Sequence, residues 1–310
     1  MFRRAGPQTL SDYARDYGLL RDVKPGTLRQ YQIVAGLFTA WSGHDVRLDE
    51  LDEDSVSAWL RDYAAEAAPA TVRSKRATIL ALWRAAADDQ LCDPPTRRVR
   101  ALRRSAPRPV VEAWLYEEVE ALLLAAQGLK RRHRCGLPRS IWWDLAIRVA
   151  WDSGLRWGDL VALQVAQIRP DGTATVIQQK TGRAVGIRLS ESTLAALRAS
   201  LEACPRTLVL PWPASQESFI RQSRLLVKKA GIRAGTWKWL RRSSGSYCER
   251  DEPGTGASHL GHAPGSRIFN DYYAAPAIVA RATRLPQELP ANVVGPATWP
   301  ASSLYGPPRR

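Results

Sequence analysis

Apolar residues recur at helical spacing through the first third of the chain. Leu28, Tyr31, Ala35, Phe38 and Trp41 form one stripe, opened by Thr27. Val56, Trp59, Leu60 and Tyr63 form a second behind the caps Asp54 and Ser55. Val72, Ile79, Leu82, Trp83 and Ala86 form a third behind a cap at Thr71. A shorter helix over 11–17 precedes them. The pattern predicts a bundle of short helices that closes at Asp93-Pro94-Pro95, with each stripe turned into a core.

The rhythm changes further on. Residues 115–126 predict a helix and 141–153 a more buried one. Residues 173–179 and 184–189 then read as strands joined by the turn Lys180-Thr181-Gly182-Arg183. Helices follow over 191–203, 217–230 and 239–249. The fold class is mainly α with a small antiparallel β-sheet. The division is a helical domain over 8–95, a linker over 96–111 and a second domain over 112–280. Residues 286–310 hold Pro286, Pro290, Pro296, Pro300, Pro307 and Pro308 without periodicity, which predicts a mobile tail.

Charge sharpens this picture. Hydrophobic residues make up 45%, as in a folded globular chain. Forty-five basic residues face thirty acidic ones, a formal net charge of +15. That surplus points to a polyanionic partner, nucleic acid first, although a solvated basic surface would give the same number. The linker concentrates it: Arg97, Arg98, Arg100, Arg103, Arg104 and Arg108 stand there with no acid. Such a segment reads as a strap along DNA phosphates, each contact releasing counterions. The four cysteines form no CxxC pair, so they read as reduced thiols of an intracellular protein. His259 and His262 lack a third ligand at a recognisable spacing, so no metal site is expected. No signal peptide or apolar run of ~20 residues stands in the chain, so a cytoplasmic protein, not a membrane one, is expected.

Five strings carry candidate chemistry, and their order matters more than any one of them. Gly154-Leu155-Arg156-Trp157-Gly158-Asp159-Leu160 follows a buried helix. A helix start with free N–H groups and an arginine fork suits a phosphate, while Arg156 and Asp159 alone could be an ordinary helical ion pair. Lys180 stands in the hairpin turn. Lys238 and Arg241 lie in Thr236-Trp237-Lys238-Trp239-Leu240-Arg241. His259-Leu260-Gly261-His262 comes next, and Asp271-Tyr272-Tyr273-Ala274-Ala275-Pro276 last.

In this order the strings resemble the tyrosine recombinase, or phage integrase, family, over residues 8 to about 280. Arg156 matches its first arginine and Lys180 its hairpin lysine. Arg241 matches its second arginine, with Lys238 where the family usually has histidine. His262 matches its Leu-Gly-His turn, and His259 reads as structural. The family's spacing favours Tyr272 as nucleophile, the tenth residue after His262, whereas the trailing Tyr-x-x-Pro favours Tyr273. The second pattern tips the choice to Tyr273, and both stay open. Residues 70–95 resemble the end of the family's helical core-binding domain, a SAM-like bundle.

The resemblance implies a site-specific recombinase acting on double-stranded DNA through a 3′-phosphotyrosyl intermediate, with no cofactor, metal or ATP. Fixed cations would stabilise the phosphate's growing charge. They would also favour the phenolate of a tyrosine whose ordinary pKa is ~10. Lys180 would protonate the departing 5′ oxygen, and Asp159 would orient or screen Arg156. A homotetramer on paired sites, associated with the nucleoid, is implied as well. Two alternatives stand beside this reading: a catalytically impaired DNA-binding relative, motivated by Lys238, and a type IB topoisomerase.

Overall fold

A computed structural model describes residues 8–99 and 110–280. The chain divides into two units, Met1–Arg108 and Pro109–Arg310. In the first, α1 (Leu10–Leu20), α2 (Pro25–Ser42), α3 (Glu53–Glu66) and α4 (Pro69–Asp88) enclose one core. Leu10, Tyr13, Val34, Phe38, Val56, Trp59, Ile79, Leu82 and Trp83 fill it. The stripes bury much as their periodicity predicts, but Trp41 is 38% exposed. Its ring stacks on Phe38 at 5.7 Å while its indole N–H donates to Asp62 at 2.9 Å. An amphipathic ring at a core margin satisfies both ends this way.

The helices start earlier than the expected caps. Pro25 and Pro69 occupy the first turns of α2 and α4, so Thr27 and Thr71 lie inside them. Proline fits there because its fixed φ is helical and its missing N–H would have had no partner. Asp52, not Asp54 or Ser55, caps α3, and it accepts the N–H groups of both at 2.9 and 2.8 Å.

The start of the basic linker is anchored. The Glu53 carboxylate accepts the backbone N–H groups of Thr96 and Arg97 at 2.7 and 2.8 Å. Those bonds hold its pKa down to about 2, against the opposing effect of burial. Val99 is buried in the first core. The Arg97 guanidinium lies 3.2 Å from Asp54, so it already has an acidic partner. Arg98 is exposed. Arg100, Arg103, Arg104 and Arg108 lie outside the described residues, as does the stretch 286–310.

The second unit centres on α6 (Arg139–Ser153), which buries Trp142, Trp143, Leu145, Ala146, Ile147, Val149 and Ala150. Around it stand α5 (Tyr116–Gln127), α7 (Trp157–Ala162), α8 (Glu191–Ala203), α9 (Gln216–Ala230) and α10 (Trp237–Asp251). The short helices α11 (Gly256–His259), α12 (Ile268–Tyr272) and α13 (Pro276–Val279) follow. Strands β1 (Thr173–Ile177) and β2 (Ala184–Arg188) pair antiparallel, Thr173 opposite Arg188. Their inward positions are Ala174, Val176, Val185 and Ile187, the alternation expected of a sheet with one buried face. Among the described residues no helix is long and apolar enough to cross a membrane.

Candidate active site

Three glycines with left-handed backbones shape the approach to the site. Gly154 (φ +56°) ends α6, and a Cβ there would meet Leu260 at 2.6 Å. Its carbonyl accepts from Nη1 of Arg241. Gly261 (φ +64°) turns the chain between α11 and His262. Gly182 (φ +69°) lies in the hairpin turn, where the Gln178 carbonyl accepts its N–H at 2.8 Å. Left-handed φ is sterically cheap for glycine.

Arg241, on α10, is 5% exposed. Besides the Gly154 carbonyl it donates from Nη2 to the Leu260 carbonyl at 2.8 Å. The two arginine strings and the Leu-Gly-His turn, far apart in sequence, therefore meet at one guanidinium. Burial and then nearby Arg156 lower its pKa to about 10, while Tyr273 opposes them. It stays charged at neutral pH. Its guanidinium carbon lies 5.3 Å from the Tyr273 ring centroid.

The other members converge on the same ring. Lys238, exposed on the first turn of α10, places its ammonium 5.2 Å from the Tyr273 centroid. The His262 ring lies 4.9 Å from that ring at 65°. Burial, then Arg241 and Arg156, push the His262 pKa down to about 4, so this imidazole is neutral at pH 7. Burial raises the Tyr273 phenol, but Arg241, Lys238 and Arg156 outweigh it, and the net shift is downward. Tyr272 is arranged otherwise. It is 52% exposed, and its backbone carbonyl accepts from Arg242 at 3.1 Å.

Among the described residues, several buried polar atoms here have no hydrogen-bond partner. They are Nε of Arg241, both ring nitrogens of His262 and Oδ2 of Asp159. Buried donors are rarely left unpaired, and where they cluster they mark a place for a polar ligand. The Arg241 Nε–H and the single N–H of a neutral His262 ring are two spare donors side by side, and such a pair suits an oxyanion.

Arg156, just before α7, donates to Gln178 Oε1 at 2.8 Å. Asp159 accepts the Gln179 N–H at 2.8 Å, so its contact is to the base of the hairpin, where an Arg156 partnership was expected. Lys180 sits on the exposed turn itself. His259 bonds Ser244 Oγ at 2.6 Å through Nε2, and Ser244 Oγ donates to the Trp151 carbonyl. His259 is thereby tied to α10 and, through Ser244, to α6, a structural role. Gln178, which bonds Arg156, Thr181 and the Leu260 carbonyl, belongs to no motif in the sequence. A signal was there: it continues the inward parity of Ala174 and Val176, where an apolar residue belongs.

A mainly helical unit with this hairpin and this ordered cluster has the fold of the tyrosine recombinase catalytic domain, and the chain resembles that family in sequence as well as in fold. No family model matches it. A curated relative, tyrosine recombinase XerD of Caulobacter vibrioides, is 27% identical over 208 residues, 66% of this chain and 60% of the relative. The match thus spans less than two thirds of that relative's length. Among solved structures, a lambda integrase dimer bound to a COC′ core site superposes with a TM-score of 0.66 at 21% identity. That match covers 86% of this chain and 78% of the other. XerH recombinase bound to a palindromic difH substrate gives 0.67 at 16%, covering 88% and 84%.

Proposed function

We propose that the chain is a site-specific tyrosine recombinase that cuts and rejoins duplex DNA through a 3′-phosphotyrosyl bond at Tyr273. The observation that carries this reading is the convergence on one phenol: His262 at 4.9 Å, Lys238 at 5.2 Å and Arg241 at 5.3 Å from its centroid. The unpartnered nitrogens of Arg241 and His262 support it, as do the +15 charge and the likeness to recombinases.

In this mechanism Tyr273 Oη attacks phosphorus, a P–O bond to tyrosine forms and the P–O5′ bond breaks. Arg156, Arg241 and Lys238 balance the charge that grows on the non-bridging oxygens, and His262 donates one ring N–H to them. The phenol ionises readily because the same cations face it, losing its proton to solvent before Oη attacks. Lys180 protonates the departing 5′ oxygen. The phosphotyrosine conserves the ester bond, so attack by a second 5′ hydroxyl reverses the step and rejoins a strand. The first unit and the basic linker would hold the duplex, and pairing of two sites would assemble a homotetramer on the chromosome.

The test uses nicked duplexes tiled across the DNA that flanks the coding sequence. Wild type is expected to form a detergent-resistant covalent adduct on one of them. Tyr273→Phe loses it and Tyr272→Phe keeps it. Tight binding with no adduct would instead identify a non-catalytic DNA-binding relative, the reading Lys238 motivates. Supercoil relaxation without site preference would identify a type IB topoisomerase.

A further inference from the structure

Gln178 is 1% exposed and makes three side-chain hydrogen bonds. Its Oε1 accepts from Arg156 Nη1 at 2.8 Å and from Thr181 Oγ1 at 2.8 Å. Its Nε2 donates to the Leu260 carbonyl at 3.4 Å. The partners belong to three segments: the arginine before α7, the turn that bears Lys180 and the turn that bears His262. The Leu260 carbonyl also accepts from Arg241, so the amide and the second arginine share an acceptor. Gly261 packs against it, since a Cβ there would come within 2.6 Å of Gln178 Nε2.

Packing alone does not account for an amide here. The neighbouring inward positions of the hairpin are Ala174, Val176, Val185 and Ile187. An apolar side chain would continue that face, whereas a buried amide loses free energy unless its bonds are made. A glutamate would keep the acceptors, lose the donor to Leu260 and neutralise Arg156. The carboxamide meets all three demands without adding charge.

We infer that Gln178 is a positioning residue for the proposed cleavage: it holds Arg156 and the Lys180 turn in one register, so that the cation and the proton donor reach the same phosphate. The inference rests on the reading of Tyr273 as nucleophile. Its consequence falls on one half of the reaction. As the Tyr273 Oη–P bond forms and the P–O5′ bond breaks, O5′ takes a proton from the Lys180 ammonium. A loosened turn impairs that proton delivery most.

Single-turnover cleavage separates the possibilities, using nicked duplexes whose scissile 5′ bridging atom is oxygen or sulfur. A thiolate leaves without a proton, because a thiol is far more acidic than an alcohol. Gln178→Met is expected to slow the oxygen substrate about 100-fold, the range of a mispositioned general acid, and the sulfur substrate less than about tenfold. Binding of the duplex stays within about twofold, since the phosphate contacts that dominate it are kept. Thr181→Val removes one bond from the exposed turn and gives the same pattern more weakly. It carries the comparison if Gln178→Met melts at a much lower temperature. Equal slowing on both substrates, or none, overturns the inference while leaving the proposed function standing. A wild type that forms no adduct on either substrate overturns the proposed function first, and this inference with it.

Discussion

Arg206, half-buried, and Arg241, buried, are both arginines of the second unit whose guanidinium meets backbone carbonyls, and they are used in opposite ways. Arg206 lies just past α8. It donates to the carbonyls of Ser200 and Cys204 at 2.8 and 2.9 Å, to the Ser200 hydroxyl at 2.7 Å, and to the Val209 carbonyl from two nitrogens. Those bonds tie off the end of a helix and the loop after it. Arg241 makes two bonds to carbonyls, leaves Nε unpartnered and turns its face to a phenol. Burial lowers the pKa of both, so desolvation does not tell them apart. The spare donor does. A guanidinium spent on backbone holds the fold, and one with a donor to spare can meet an incoming anion.

The comparison breaks most sharply under paired substitution. Arg241→Ala is expected to cut single-turnover adduct formation by about 10²–10³, the usual loss of an oxyanion donor. Arg206→Ala should leave the rate per folded molecule unchanged while costing about 2–3 kcal/mol of stability through orphaned carbonyls. Cleavage assays beside thermal melts check both, and similar rate losses in the two variants would erase the distinction. Lys238→Ala should lower the rate by about tenfold, less than Arg241→Ala, because the lysine is exposed and its charge is screened. Lys238→His should recover most of that loss if a proton-bearing donor is what the position needs.

The pH dependence of stability is a smaller effect with a definite sign. His262 has a pKa of about 4 when folded, through burial first and then Arg241 and Arg156, against 6.5 ordinarily. Between those values the unfolded chain binds a proton that the folded one does not. This contribution, at most about 3 kcal/mol, is fully present above pH 6.5 and is lost as pH falls toward 4. His133, also at about 4 through burial and then Arg139, titrates in the same window. Denaturant melts of His262→Gln should therefore show a shallower decline, not a flat line. The smallest signal is spectroscopic. Alkaline difference absorbance should contain a phenol that ionises below the others, absent in Tyr273→Phe and kept in Tyr272→Phe. A component that vanishes with Tyr272 instead would reverse the assignment.

Much of this was legible along the chain. The helical stripes, the alternating hairpin and the order Arg156, Lys180, Arg241, His262, tyrosine are all local patterns. Gly154 and Gly261 were visible inside their strings, though not what presses on them. The starts of α2 and α4 fall two residues before Thr27 and Thr71 because Pro25 and Pro69 suit the first helical position, and α3 takes Asp52 as its cap ahead of Asp54 and Ser55. The adjacent phenols could not be separated by spacing, since α12 ends at Tyr272 and a one-residue step past it changes which ring turns inward.

The sequence by itself determined which charged groups the protein owns and the order in which they come, because composition and short-range periodicity are properties of neighbours. Tertiary structure alone decided how they combine. Arg241 meets carbonyls 87 and 19 residues away, and Gln178 bridges to Leu260 across 82. Asp159 accepts from the hairpin backbone at Gln179, 20 residues away, and makes no one-turn ion pair with Arg156 among the described contacts. Such pairings follow from how α6, α10 and the hairpin pack, and a buried amide takes its meaning from the partners that packing brings to it.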